Sequence, residues 1–285
     1  MPPEPRLHTD PAGLRVEIAG PVARLTLMRP ESRNALTLEL VDALGAAMGR
    51  LAADGVRVAI LSGAGGRAFS AGFDISAIDG AGEVGADGLY DNDRRLQAAF
   101  RTIEDVPFPV IAAIRGYCLG GGLELAMACD LRLASPDARF RMPPAQLGWV
   151  YALEGVRRVT CAVGTARARH LFLTGQMLDA ATAATWGLVH EVVGEADTVG
   201  DGETAAAADD PLEARATALA HGIAGAAPIA LEGLKHALTT LAREDTRPAT
   251  WEAHRALRAR ALASADLREG RAAFLERRPA RFTGR

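Results

Sequence analysis

Two β-rich runs stand near the start of the chain. Leu14 to Ile18 and Val22 to Leu27 flank Ala19-Gly20-Pro21, and this spacing predicts a hairpin. After Arg29-Pro30, Thr37 precedes Leu40, Val41, Leu44 and Leu51, which keep helical spacing and make Thr37 a candidate N-cap. Val56 to Leu61 reads as a short buried strand, Leu89 to Ile103 as a helix, Val110 to Ile114 as a second buried strand and Leu131 to Ala134 as a third. Strands alternating with helices predict stacked β-α units and a largely parallel sheet covered on both faces. From about Val156 the pattern is helical: Arg157 to Cys161, Ala166 to Leu173, Ala180 to Trp186, and three longer helices toward the C-terminus.

Two segments break the pattern. Residues 77–93 are rich in glycine and acids and predict a flexible loop. Residues 195–210 carry acids, small residues and no base, which predicts an acidic loop without chemistry. The expected organisation is an α/β core over residues 12–195, the acidic loop over 195–210 and a C-terminal helical region over 211–285.

Composition narrows the class. The 285 residues are 49% hydrophobic and 24% charged with a net charge of −3, as expected of one soluble domain with a small appendage. Lys235 is the only lysine, and the slightly acidic balance argues against nucleic acid as the main partner. Cys118, Cys129 and Cys161 form an odd set without C-x-x-C spacing, so neither a disulfide framework nor a zinc site is expected, and the thiols fit a reducing cytoplasm. Met1 to Pro11 does not resemble a signal or transit peptide, and no apolar run approaches the ~18 residues of a membrane span.

Several patterns are candidates for chemistry. Gly63-Ala64-Gly65-Gly66-Arg67-Ala68 matches the dinucleotide fingerprint, but no helix pattern follows, and a tight turn after a strand is the simpler reading. Ser70 lacks a G-x-S-x-G context, and His8, His170, His190, His221, His236 and His254 are scattered without metal or triad spacing. More informative are Ser70-Ala71-Gly72-Phe73-Asp74-Ile75 and Gly116-Tyr117-Cys118-Leu119-Gly120-Gly121-Gly122-Leu123-Glu124-Leu125, each following a buried strand. The second opens an apolar helix on three glycines, where bare N–H groups and the helix dipole favour negative charge. One N–H from each turn converging on a single oxygen makes an oxyanion hole, with Glu124 as the proton carrier. The plainer alternative is glycine for close helix packing with Glu124 as a solvated first-turn acid.

On these residues the chain resembles the crotonase superfamily, the enoyl-CoA hydratase/isomerase family. The resemblance runs from Val22 to Pro30 and Asn34-Ala35-Leu36 through Phe69 to Ile75, Gly120 to Asp130, Gly187-Leu188-Val189 and Ala227-Pro228 to Phe274-Leu275-Glu276-Arg277-Arg278-Pro279. It implies an α/β fold, a spiral of ββα units with a C-terminal α-helical region that builds trimers, often paired into hexamers. It also implies an acyl-CoA thioester substrate, with coenzyme A as part of that substrate and no separate cofactor. By the same resemblance the amides of Phe73 and Gly121 hold the thioester oxygen, while Arg33, Ala71, Asp74, Ile75, Ser76 and Gly120 border the coenzyme and acyl group.

One departure bears on the reaction. Family hydratases carry a second glutamate in a segment F-G-Q-P-E-x-x-x-G, whereas this chain reads Phe140-Arg141-Met142-Pro143-Pro144-Ala145-Gln146-Leu147-Gly148 and places Pro144 there. Gly148-Trp149-Val150-Tyr151 instead resembles methylmalonyl-CoA decarboxylases, in which a tyrosine at the Tyr151 position faces the substrate carboxylate. The expectation leans to decarboxylation of a malonyl-type thioester. The alternatives are a hydratase or isomerase using Glu124, with Glu154 either a relocated acid or a surface residue, and a non-catalytic thioester-binding or scaffold protein. Tyr151 has an alternative of its own as an amphipathic pocket wall.

Overall fold

The computed structural model describes residues 6–74, 86–148, 150–194 and 210–285. Its first sheet has seven strands: β1 (Arg6–Asp10), β2 (Leu14–Ala19), β3 (Val22–Leu27), β4 (Val58–Gly63), β6 (Val110–Ile114), β8 (Leu131–Ala134) and β11 (Glu191–Val192), side by side in that order. The expected hairpin is β2–β3, paired antiparallel from Leu14↔Leu27 to Ala19↔Val22, and from β3 to β11 every pairing is parallel. A second sheet, in the order β10-β9-β7-β5, contains β5 (Ala68–Ser70), β7 (Tyr117–Leu119), β9 (Arg139–Arg141) and β10 (Leu178–Asp179). Three successive turns of the chain, β4–β5, β6–β7 and β8–β9, each lay one strand in the large sheet and one in the small sheet before a helix follows.

From β3 to β8 the large sheet is buried on both faces, and period 2 sorts its side chains. Ala23, Leu25, Leu27, Ala59, Leu61, Val110 and Ala112 face one core, under α1 (Leu38–Ala53), α2 (Ala86–Asp105) and α3 (Gly121–Ala128). Val22, Val58, Ile60, Ile111, Ala113 and Leu133 face the other, under α6 (Pro211–Ala224). Helix α6 approaches closely because it offers Leu212, Ala216, Ala220 and Ala224 at four-residue spacing. Arg24 with Glu213 and Arg115 with Asp210 clasp its start to the sheet. Thr37 caps α1 as expected, accepting from Leu40 N at 3.2 Å.

The helical half departs from expectation in three places. Arg157 to Cys161 and Ala166 to Leu173 belong to one helix, α4 (Leu153–Thr174), broken at Gly164 with φ 77° and ψ 160°. Among the described residues four longer helices, not three, follow α5 (Ala180–Trp186): α6, α7 (Pro228–Ala242), α8 (Pro248–Ala263) and α9 (Ala265–Glu276). The last two read as one because Ser264 ends α8 and caps α9 through Leu267 N in a single residue. The loop expected over residues 77–93 is helical from Ala86, and its remainder lies outside the described residues, as do residues 195–209 of the acidic loop.

Helix α7 is fixed by the sole lysine. Lys235 Nζ, almost fully buried, donates to Ile103 O and Phe108 O at 2.9 Å each and to Asp130 Oδ2 at 2.7 Å. Asp130 Oδ2 also accepts from Val110 N at 2.7 Å, so one carboxylate joins the start of β6 to α7. His236 and His254 stack at 5.7 Å where α7 meets α8. Removing the lysine takes the counter-charge from the Asp130 carboxylate and a donor from two carbonyls. Lys235→Met is expected to lower unfolding free energy by about 3 kcal/mol, read from the denaturant midpoint at constant m-value.

Candidate active site

Residues 33–36 and 71–74 run side by side. Ala71 N donates to Arg33 O (2.9 Å), Leu36 N to Gly72 O (2.8 Å) and Asp74 N to Leu36 O (3.0 Å). This parallel bridge uses the carbonyl before Phe73 and the N–H after it, so the Phe73 amide is left out of the pairing. Asn34 makes the arrangement rigid. It is fully buried, its Oδ1 accepts from Arg29 N, and its Nδ2 donates to Ala64 O and Ala68 O. The turn after β4 thus exists to meet Asn34. A Cβ on Gly63 would stand 2.7 Å from Asn34 Nδ2 and 2.4 Å from Phe69 O. The turn leads into β5 rather than a helix, so the dinucleotide reading fails.

The second amide opens α3. Gly120 N donates to Arg141 O at 2.9 Å and Glu124 N to Gly120 O at 3.0 Å, but the first helical N–H, at Gly121, has no carbonyl one turn back. Among the described residues neither Phe73 N–H nor Gly121 N–H has an acceptor. The two are neighbours: a Cβ on Gly121 would lie 3.3 Å from Phe73 N, and one on Gly72 would lie 3.2 Å from Gly121 N. Gly72 also has φ 100°, a conformation L side chains rarely adopt. Two backbone donors this close can hold a single oxygen between them, and a donor so placed supplies roughly 3 kcal/mol to a developing charge.

Glu124 stands one turn into α3 and is fully buried, not a solvated acid. Its Oε1 accepts from Gln97 Nε2 at 2.6 Å and from the Arg158 guanidinium at 3.2 Å, while its Oε2 has no partner among the described residues. Burial pushes its carboxyl up to about 7, against the opposing pull of the Gln97 hydrogen bond and the Arg158 charge, with Asp93 and Glu154 adding to the rise. Such a group gives up and takes back a proton near neutrality. Helix α4 crosses directly above it, and only glycine fits: a Cβ on Gly155 would stand 2.4 Å from Glu124 Oε1.

Tyr151 reaches the same turn. Its hydroxyl lies 3.1 Å from where a Cβ on Gly120 would be, and its ring meets Phe172 edge-on at 5.9 Å. Burial first, and then the charge of Glu124, hold the phenol well above its usual pKa, so it stays a neutral donor. Pro144 is buried at the start of a short 3-10 turn and offers no proton. Glu154 stands in the first turn of α4, half-exposed and paired with Arg101 at 3.3 Å, and its charge adds to the rise at Glu124.

The remaining expected residues divide. Arg33 is exposed with its guanidinium 5.9 Å from the centre of the Tyr117 ring, and Asp74 pairs with Arg29 at 3.4 Å, both beside the Phe73 segment. Ile75, Ser76 and Trp149 lie outside the described residues. Ser70 is buried and its hydroxyl accepts from Gly72 N at 3.2 Å, a structural role. Gln97 and Arg158 were not singled out from the sequence. A signal was present: Gln97 interrupts the apolar stripe Leu96, Phe100 and Ile103 of α2, where an unpaired polar residue does not belong. The described residues hold no cluster of metal-ligating side chains.

The raised pKa ties stability to pH. The neutral form of Glu124 is favoured in the folded chain, so its contribution is complete below about 4.5 and is lost as pH rises through about 7, to the order of 3 kcal/mol. Glu124→Gln removes the ionisation and keeps the shape. Its melting temperature is expected to vary less than that of the parent between about pH 5 and 8, as calorimetry would record.

Sequence and fold both point to known proteins. The model for the family described as "Enoyl-CoA hydratase/isomerase" matches residues 17–285. A probable enoyl-CoA hydratase of Rhizobium meliloti is 37% identical over 276 residues, covering 95% of this chain and 98% of its own. An (E)-benzylidenesuccinyl-CoA hydratase of Thauera aromatica is 34% identical over 78% of this chain and 80% of its own. The crystal structure of an enoyl-CoA hydratase/carnithine racemase from Magnetospirillum magneticum superposes with a TM-score of 0.85 at 34% identity, covering 98% of this chain and 97% of that one. With two unpaired amides and a buried glutamate where its sequence resembles that family, the chain belongs to the enoyl-CoA hydratase/isomerase family, enzymes acting on acyl-CoA thioesters.

Proposed function

We propose that this chain adds water to a 2-enoyl-CoA thioester, moving the proton through one carboxylate. The observation that carries the reading is Glu124 itself: fully buried, its carboxyl pushed up to about 7 by that burial, with one oxygen unpartnered among the described residues, on the helix whose first amide belongs to the proposed oxyanion pair. The Glu124 carboxylate takes a proton from water as the water oxygen bonds to Cβ. The alkene electrons move onto the thioester oxygen, held by the Phe73 and Gly121 amides. The neutral Glu124 then returns the proton to Cα, and the carboxylate is restored. No second acid is needed, which accommodates Pro144. The relatives named as hydratases support the overall addition.

A second reading, decarboxylation of a malonyl-type thioester, is favoured by Tyr151, whose neutral hydroxyl at the Gly120 turn suits a substrate carboxylate. It ranks below hydration because that carboxylate would sit beside Glu124, whose charge already raises the Tyr151 pKa. Exposed Leu234, Leu238 and Leu241 on one side of α7 support self-association, as the expected trimer or hexamer requires.

The test is to incubate the protein with crotonyl-CoA and, separately, methylmalonyl-CoA and to follow both by mass spectrometry. Water is expected to add to crotonyl-CoA. Glu124→Gln should cost roughly 10²–10⁴-fold in kcat, and Gly121→Pro, which deletes one donor, should abolish turnover in a folded protein. Carbon dioxide loss without hydration would put Tyr151 chemistry first, and both substrates unchanged would favour a non-catalytic thioester-binding role.

A further inference from the structure

A free carboxylate has two equivalent oxygens, and rotation about its last bond exchanges them. The surroundings of Glu124 remove that equivalence. Gln97 Nε2 and Arg158 both donate to Oε1, at 2.6 and 3.2 Å, and Arg158 donates also to Gln97 Oε1 at 2.7 Å. The triangle is closed. Because the Gln97 oxygen accepts from Arg158, its nitrogen faces the carboxylates, donating to Glu124 and hydrogen-bonding Asp93, and neither amide orientation nor carboxylate rotation is free.

The triangle is anchored from behind. Arg158 Nε donates to Glu104 Oε1 at 2.9 Å, and its remaining terminal nitrogen lies 3.3 Å from Oε2. Glu104 also receives Arg157 at 3.2 Å and Arg243 at 2.7 Å. The Arg158 and Arg243 guanidiniums outweigh its burial and hold its carboxyl down to about 2, so it stays anionic wherever Glu124 titrates. An anionic Glu104 offsets the Arg158 charge, leaving Arg158 able to grip Oε1 without forcing Glu124 into the ordinary carboxylate range.

We propose that Gln97 and Arg158 are positioning residues that pin Oε1 of Glu124 and commit Oε2 to proton transfer at the thioester. This rests on the reading of Glu124 as the proton carrier. They touch no substrate and act through Glu124. A purely structural role would tie α2, α3 and α4 together without affecting how the proton moves.

Proton exchange at Cα of butyryl-CoA in deuterium oxide isolates that step. Glu124 removes the α-proton, the enolate forms on the thioester oxygen, and a deuteron returns by the same path. Rates are measured across pH for the parent, Glu124→Gln, Gln97→Leu and Arg158→Lys. Gln97→Leu is the primary variant because it leaves Arg158 paired with Glu104 and removes no buried charge. It is expected to fall about 100-fold in maximal rate, with KM within about twofold. Its acid limb should move to higher pH, since the Gln97 hydrogen bond favours ionised Glu124. Arg158→Lys, which keeps the charge but not the fork, should fall between the two. Parental rate and an unmoved limb in a folded Gln97→Leu variant, with Glu124→Gln inactive, would overturn the positioning role alone. Parental exchange in Glu124→Gln would overturn the reading of Glu124 beneath it.

Discussion

Two turns of backbone, one ending at Gly72 and one beginning at Gly121, approach so closely that a methyl group on either meets main-chain atoms of the other. Much of the molecule serves that approach. The stacked turns of the chain bring β5 and β7 together in the small sheet, where they pair in parallel, and the two turns are the continuations of those strands. The backbone of residues 33–36 holds the first turn, with Asn34 tying that segment to the start of β5, and the burial of all eight residues of α3 fixes the second. The result is a pair of neighbouring amides without acceptors among the described residues. Their mutual placement is set by the fold, which is what a preorganised donor pair requires.

Around this pair, charge is arranged in layers. Glu124, closest to the turn, is held near neutrality by burial. Behind it come Gln97 and Arg158, then Glu104, then Arg157 and Arg243. Arg243 follows the last residue of α7, so the end of that helix is joined to the back of the site through alternating charges. The alternation lets a buried carboxylate coexist with several buried or half-buried guanidiniums without a large net charge in the interior.

The fold was legible in the sequence where local chemistry decides it. The β2–β3 hairpin, the buried strands β4, β6 and β8, the Thr37 cap and the Glu124 turn follow from periodicity and glycine placement. Strands of two or three residues such as β5, β9 and β10 carry too little pattern to read, since their pairing comes from the spiral and not from propensity. The break at Gly164 and the shared Ser264 cap likewise depend on three-dimensional context. In the site, main-chain donors were legible because glycine marks them. Gln97 and Arg158 were not, because their meaning lies in contacts 27 and 34 residues away along the chain.

Lys235 carries a consequence outside catalysis. It is the only lysine of the sequence, and its amine is enclosed by two carbonyls and a carboxylate beneath α7. While that helix stays seated, no lysine side chain offers an amine to acylating reagents, aldehydes or amine-directed cross-linkers. Covalent labelling at this one position therefore measures how often α7 lifts away, which makes the chain its own reporter of local opening.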